Sequence, residues 1–308
     1  MNCTEERLGI RAEGAEKATG RAQVFVIAGR KAHPFAPAIA IMAPMKTRRI
    51  LLTSLILCAG FSEGTTFAQT NSPLTVVPTS VVMVPFVGCA SDGQGGPRKA
   101  PTGKSKAIWI PTRSAELKDR LAYYKARYSA GVLAPRGWHC FSTYGSNGAN
   151  LFVSPDPIDS KTVLLSNDWK GFPGQAVQIS VSSGGTSGRF EVAKVIARVF
   201  PEYKAFAQNV IAEGIEPASD FPSGPYPNDK LTYRGKSVVE FETPANAQGL
   251  GTDSRLQMNA SPIDGVAIIS SKDTDLTMVT ARLSDSDSDL VQFILGQAQF
   301  DAVPSPSK

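Results

Sequence analysis

The sequence predicts an α+β fold: a single domain with a mixed or antiparallel sheet, about four helices and one disulfide. Segments with apolar residues at every second position are interleaved irregularly with segments of helical period. No internal repeat and no long low-complexity linker interrupts them. We therefore expect one domain over residues 69–302 and a disordered tail over 303–308. A division into two lobes near 215–229 is the main alternative.

The segment that begins at Met45 predicts export. Three basic residues precede an apolar run, and small polar residues lead to Ala68, which is the layout of a secretory signal peptide. The run of about a dozen residues is shorter than the roughly 20 that a membrane-spanning helix needs. We expect a signal peptide over residues 45–68 that is cleaved, which makes the mature protein periplasmic or secreted.

Residues 1–44 lie before this signal and carry no pattern. We expect that translation starts later, near Met45, or that this stretch is disordered. An uncleaved internal anchor is the alternative. The arginine pair at 48–49 also leaves twin-arginine export open, whereas lipidation of Cys58 is disfavoured because a leucine precedes it.

Removal of residues 1–68 changes the charge balance. The whole chain has 32 Lys+Arg and 27 Asp+Glu, and the remaining 240 residues hold 23 and 22 of them. A nearly neutral protein has no basic footprint for nucleic acid. It also keeps His139 as its only histidine, which excludes zinc chemistry of the HExxH type. We expect no metal, no cofactor, no nucleic-acid partner and no membrane span in the mature form.

The mature chain keeps two cysteines, Cys89 and Cys140. An even pair in an exported protein predicts a disulfide. Closing a loop of about 50 residues stabilises the fold by about 4 kcal/mol in the chain-entropy model. Two free buried thiols are the alternative, because spacing does not show whether the side chains converge.

The predicted strands are rich in β-branched residues or alternate apolar with polar positions, as in Val177, Ile179 and Val181. A Gly/Pro/Lys-rich loop over 90–106 separates the first predicted strand from the second. In chain order the strands are 74–87, 107–110, 150–153, 162–165, 176–182, the hairpin 230–243 around Arg234-Gly235, 265–270 and 276–283.

The predicted helices show apolar stripes of helical period. The first has Leu117, Leu121, Tyr124 and Tyr128 at that spacing. Gly214 ends the predicted helix 201–213. The alternating Asp285, Asp287 and Asp289 favour a helix start over a calcium loop, because a calcium loop would need a glycine at 290. The helices are 114–128, 189–200, 201–213 and 290–298.

Residues 131–155, which we call the hub segment, combine the most unusual side chains. Seven positions hold Trp138, His139, Cys140, Phe141 and Tyr144. Aromatic and arginine side chains on loops commonly carry recognition. We therefore expect a contact surface that is formed by Arg136, Trp138, Tyr144 and Asn147. The loop 221–226 could be a further part of it.

A secreted hydrolase is the alternative function. His139 would act as the general base, with Ser142 or Ser187 as the nucleophile. Against this, an imidazole beside Trp138 also fits a structural role, and Cys140 in a disulfide has no thiolate to offer. We assign no catalytic residue from the sequence.

Two further patterns leave chemistry open. The glycine-rich turn 183–188 precedes a helix, where it could hold an anion with Arg189, although a simple helix start explains it as well. Glu213 and Glu216, near Asp220, could serve glycoside hydrolysis if they faced each other across a cleft. Together, these patterns favour a binding protein of the bacterial envelope without catalytic activity, whose partner is an envelope protein or a glycan.

Overall fold

The structure is a computed structural model that describes residues 79–270 and 272–302. These residues all fall within one compact unit, 71–308. The early stretch 1–44, the signal peptide 45–68 and the tail 303–308 lie outside the described residues. The fold is α+β as predicted, with mostly antiparallel strands and the expected disulfide.

The described residues form thirteen strands and three α-helices, with short 3-10 and π turns between them. The strands are β1 Thr79–Val84, β2 Phe86–Gly88, β3 Ala90–Gly93, β4 Lys106–Pro111, β5 Leu121–Lys125, β6 Val132–Pro135, β7 His139–Gly145, β8 Gly148–Ser154, β9 Ala176–Ser182, β10 Lys230–Tyr233, β11 Val238–Thr243, β12 Ile263–Ile269 and β13 Leu276–Arg282. The helices are α1 Arg189–Val199, α2 Lys204–Ala212 and α3 Val291–Ala302.

An eight-stranded sheet in the order β10-β11-β12-β13-β9-β8-β7-β3 organises the molecule. All of its neighbours are antiparallel except β3 and β7, which run parallel. Two smaller sheets, β1-β4 and β2-β5-β6, accompany it. The hairpin predicted around Arg234-Gly235 is confirmed as β10 and β11.

Period-two alternation gives the large sheet two different faces. On one face Val177, Ile179 and Val279 enter the larger apolar core, together with residues of α3 and of the small sheets. The opposite face packs against α1 and α2 at its β11 and β12 end. Because successive side chains of a strand point to opposite faces, the polar residues of β9 must lie on the helix side.

The helix predicted over 114–128 is wrong. A 3-10 segment, Thr112–Asp119, is followed by strand β5, which pairs in parallel with β2 and antiparallel with β6. Leu121 is fully buried on one face of β5, and Ala122 and Tyr124 are fully buried on the other. A strand that is buried on both faces has no polar alternation, so a short apolar run can imitate a helical stripe.

Two other local predictions are also corrected. Residues 162–165 belong to a π-helical turn, Lys161–Leu165, in which the Asp159 carboxylate accepts the Thr162 amide at 2.9 Å and its hydroxyl at 3.0 Å. This local capture of the backbone competes with strand pairing. The predicted loop 90–106 contains strand β3, which ends where Gly93 packs on the Tyr144 backbone.

The hub segment contributes β6, β7 and β8 and is joined to the rest by covalent and polar contacts. Cys89 and Cys140 form the predicted disulfide over a sequence separation of 51. The buried Tyr124 hydroxyl donates to the Pro135 carbonyl at 2.8 Å and accepts from the Trp138 amide at 3.0 Å. These contacts fix the start of β7 against the small sheet.

The outer face of the β1-β4 ribbon is apolar and open to solvent. Val81 pairs with Trp109 across the two strands, and Met83 lies two residues along. Their exposed fractions are 50%, 57% and 56%. The inner residues of the same strands, Ile108 and Ile110, are 1% exposed, so the ribbon is anchored by one face only.

Candidate binding cleft

A cleft of about 650 Å³ opens on the helix side of the large sheet. Its floor comes from β8, β9 and β13, one wall from α1, and the other from the loops around Tyr226 and 253–255. Only four of its eighteen lining residues are apolar. Since small-molecule sites are usually lined mainly by apolar side chains, this cleft is suited to a polar ligand.

The floor combines Leu276 and Met278 of β13 with neutral polar side chains at alternating strand positions. The polar side chains are Asn150 of β8, Gln178, Ser180 and Ser182 of β9, and Thr280 of β13. The Thr280 side chain is 1% exposed, and its hydroxyl has no hydrogen-bond partner within the described protein. An unpaired buried hydroxyl costs about 1–3 kcal/mol, so its position under an open cleft indicates a place for a ligand or water oxygen.

Gln178 connects the floor to the far wall. Its side-chain carbonyl accepts the Arg255 backbone amide at 2.8 Å, and its amide nitrogen donates to the Asn150 side-chain carbonyl at 3.3 Å. Gln178 is 5% exposed. A buried amide with both ends bonded holds the loop 253–255 at a fixed height above the sheet.

Helix α1 forms the near wall with four residues on one face. Positions i, i+3, i+4 and i+7 share a helix face, and here they are Glu191, Lys194, Val195 and Arg198. The Lys194 ammonium lies 3.2 Å from Glu191 and 3.1 Å from Glu216. Burial opposes the charge of Lys194, but these carboxylates raise its pKa.

Tyr226 is the aromatic residue of the far wall. The Arg198 guanidinium lies 3.8 Å from the centre of its ring, and Arg198 also donates to the Gly224 carbonyl at 3.3 Å. The Tyr226 hydroxyl donates to the Asp253 carboxylate at 2.8 Å. The three side chains thus form a row in which a cation, a ring and an anion alternate.

Desolvation governs the proton affinities in this row. Burial, followed by the hydrogen bond to Asp253, raises the pKa of Tyr226 to about 12. Burial also raises the pKa of the Asp253 carboxyl, although the Tyr226 hydrogen bond and the charge of Arg198 lower it in part. Burial disfavours the charged form of this carboxyl, so a charged ligand bound beside it would shift its pKa.

The residues of the hydrolase alternative are not brought together. His139 is exposed at the first position of β7, and Ser142 is fully buried three residues later, on the other face of the strand. The Ser187 hydroxyl lies 3.3 Å from that of Ser146, just beyond the opposite end of β7. At roughly 3.3 Å per residue, the length of β7 separates His139 from this serine pair by about 20 Å.

The four residues of the predicted contact surface are divided between the two ends of β7. Arg136 and Trp138 precede the strand, and Trp138 packs on the larger core. At the far end, the Tyr144 hydroxyl donates to the Gly96 carbonyl at 2.5 Å. Asn147 follows in the hairpin turn and is the member of this set that lines the cleft.

The charged alternatives are engaged in ion pairs. Glu213 binds Arg189, whose guanidinium nitrogen lies 2.6 Å from it, and this contact lowers the pKa of Glu213. Arg189 is therefore already neutralised at the start of α1. Arg120 binds Asp287 and Asp289 at 2.8 and 2.7 Å. This acidic run forms the 3-10 turn Asp285–Leu290 that leads into α3, in agreement with the helix start that we predicted.

Most of the cleft was missed by the sequence analysis, although signals for it exist. The alternation in β9 predicts a strand with one polar face, but it does not show what that face meets. The stripe on α1 mixes charges with one valine, so it does not look like a core face. Tyr226 and Asp220 had been singled out, and both line the cleft, whereas Phe221 between them is buried in the second core.

No protein-family model, no curated protein and no solved structure matches this chain. Within residues 79–270 and 272–302, no three or more His, Cys, Asp or Glu side chains lie together as a metal site would require. No helix in that part of the chain has the length and apolar character needed to cross a membrane.

Proposed function

We propose that this chain is an exported protein of the bacterial envelope that binds a glycan fragment in the cleft and has no catalytic role. Glycans offer many hydroxyl groups, each of which donates and accepts hydrogen bonds. The cleft offers amide, hydroxyl and charged side chains with few apolar neighbours. Complementarity of this kind favours a hydroxylated ligand over an apolar one.

The unpaired hydroxyl of Thr280 carries the proposal. Buried polar groups in proteins nearly always have a partner, so each exception needs an explanation. On the neighbouring strand, Ser180 and Ser182 line the same cleft, opposite Met278 and Leu276. The buried Thr280 hydroxyl is costly unless a ligand or ordered water completes it, and the partly exposed Ser180 and Ser182 present further hydroxyls to the cleft.

The disulfide supports the proposed export. Disulfides persist in oxidising compartments and are rare in the bacterial cytoplasm. Cys89 is 1% exposed, so its bond to Cys140 lies inside the folded structure. Intact mass of the purified protein, with and without reductant, tests cleavage after Ala68 and the bond together. A protein that keeps residues 1–68 would contradict export by this signal.

A glycan suits the geometry better than an envelope protein bound by the hub segment. A protein contact through the hub segment would have to span from Trp138, just before β7, to Tyr144, near its end, and these side chains do not form one cluster. The hydrolase alternative has no observation in its favour, because His139 has no serine hydroxyl bonded to it among the described residues.

Binding to an array of neutral and acidic oligosaccharides, followed by calorimetry, tests the proposal. We expect Ser180→Leu, which places an apolar side chain on the floor, to weaken binding at least tenfold. The control is Thr232→Leu, at an exposed position of β10 outside the cleft. Unchanged affinity in Ser180→Leu, or loss of binding in Trp138→Ala instead, would place the ligand elsewhere.

A further inference from the structure

Two arginines of the cleft differ from the ion-paired basic residues of the fold. Seven described Lys and Arg side chains have carboxylate partners within 4 Å: Lys106, Arg120, Arg189, Lys194, Lys230, Arg234 and Lys236. Arg198 and Arg255 line the cleft and have no such ion pair among the described residues. Their contacts are aromatic rings instead.

Arg198 is held in place without using most of its donors. It lies on the Tyr226 ring, 3.8 Å from the centre, and donates to the Gly224 carbonyl. A guanidinium has five N–H donors in a rigid planar fork. Because stacking fixes this plane in advance, Arg198 can receive a carboxylate with little further loss of conformational freedom.

Arg255 is the second free guanidinium. It lies 5.8 Å from the centre of the Trp169 ring. Its backbone is fixed by Gln178, whereas its side chain is exposed. It can therefore turn towards a ligand at the mouth of the cleft.

The carboxylates of the cleft do not cancel these two charges by direct contact. Glu191 is bound by Lys194 at 3.2 Å, and Asp253 accepts the Tyr226 hydroxyl at 2.8 Å. Asp220 is exposed on the outer loop and accepts the neighbouring Ser219 hydroxyl at 3.4 Å. Cationic donors therefore remain unused beside a floor of neutral hydroxyls.

We infer that the ligand is a glycan that carries a carboxylate, such as a uronic acid, whose acid group binds Arg198 and Arg255 while its hydroxyls bind the floor. This inference rests on the proposed function of the cleft. Guanidinium and carboxylate form paired, charge-assisted hydrogen bonds, while serine, threonine and amide side chains satisfy sugar hydroxyls. A neutral sugar would offer these guanidinium groups no charge-assisted hydrogen bond.

Tetragalacturonate and its fully methyl-esterified form provide a matched pair of probes, equal in backbone and different in charge. We expect the acid to bind about 10- to 100-fold more tightly, as charged hydrogen bonds allow. Raising the salt concentration should reduce the preference. Arg255→Gln and Arg198→Gln should each remove most of it, while Arg127→Gln, an exposed arginine that lies over the Tyr128 ring outside the cleft, should not.

The outcomes separate the two proposals. Equal binding of acid and ester, with loss of both in Ser180→Leu, would keep the glycan cleft and overturn the acidic ligand. Absence of binding to these probes and to every oligosaccharide of the array would overturn both. Arg198→Lys, which keeps the charge and loses the fork, should retain part of the preference. Because Arg255 is exposed, Arg255→Gln remains informative even if substitutions at Arg198 disturb folding.

Discussion

The hub segment and the cleft meet at β8 and the turn before it, where the hub supplies Asn147 and Asn150 to the cleft, yet they are built mainly from different kinds of residue. The hub segment holds Trp138, His139 and Cys140 of the disulfide, and the Pro135 carbonyl and Trp138 amide are bonded within the protein. The cleft is made of ordinary serine, threonine, amide and charged residues, and one of its buried hydroxyls has no partner. The rare residues of this fold therefore make internal contacts that stabilise it, whereas common polar residues keep hydrogen-bonding groups available for a ligand.

Loss of the disulfide should produce the largest effect and leave the cleft intact. We expect the double substitution Cys89→Ala and Cys140→Ala to lower the free energy of unfolding by about 4 kcal/mol, the chain-entropy cost of a loop of this length. Urea denaturation measures this change, and calorimetry with the array ligand measures the cleft. A large loss of affinity at unchanged stability would contradict the separation of hub and cleft.

Tyr124→Phe should have the next largest effect, again on stability. The substitution leaves the Trp138 amide and the Pro135 carbonyl unpaired in a buried site, which costs roughly 2 kcal/mol. Tyr233→Phe is the matched control, because Tyr233 is 49% exposed on β10. Equal urea midpoints for the two variants would show that the Tyr124 hydroxyl does not hold the hub segment.

Thr280→Val should change ligand affinity and not lower stability, the reverse of what we expect for Tyr124→Phe. Valine has the shape of threonine without the hydroxyl, so removing an unpaired buried group should leave stability unchanged or raise it by up to about 1 kcal/mol. Ligand affinity should fall at the same time. Thr277→Val serves as the control, since Thr277 lies on the same strand and faces away from the cleft. Lower stability without lower affinity would make Thr280 a structural residue only.

Asp253→Asn should give the smallest effect, visible only as a change with pH. Burial raises the pKa of Asp253 above its ordinary value of 3.8, so the folded protein keeps this proton longer than the unfolded chain does. Stability contributed by the protonated form is therefore present below pH 3.8 and is lost as the pH rises through the raised pKa. Asparagine does not titrate, so the variant should gain stability relative to wild type between pH 3 and 7. A difference in stability between variant and wild type that stays constant from pH 3 to 7 would contradict the raised pKa of Asp253.

The sequence was sufficient for the fold class, the disulfide and most elements, because these depend on local period and composition. Strand β9 was predicted with the bounds that the structure has. The sequence was not sufficient for β5, because burial on both faces of that strand removes the alternation that identifies a strand. The cleft could not be derived either, since Gln178 and Thr280 become neighbours only through the pairing of β9 with β13.

The three tryptophans of the chain lie in three different surroundings, so the molecule contains its own optical reporters. Trp109 is open to solvent on the ribbon, Trp138 packs at the start of β7, and Trp169 lies under Arg255 in the small cluster with Phe172. Iodide should quench the emission of Trp109 first. A ligand that draws Arg255 away from Trp169 would alter that indole's spectrum, so occupancy of the cleft can be followed without a label.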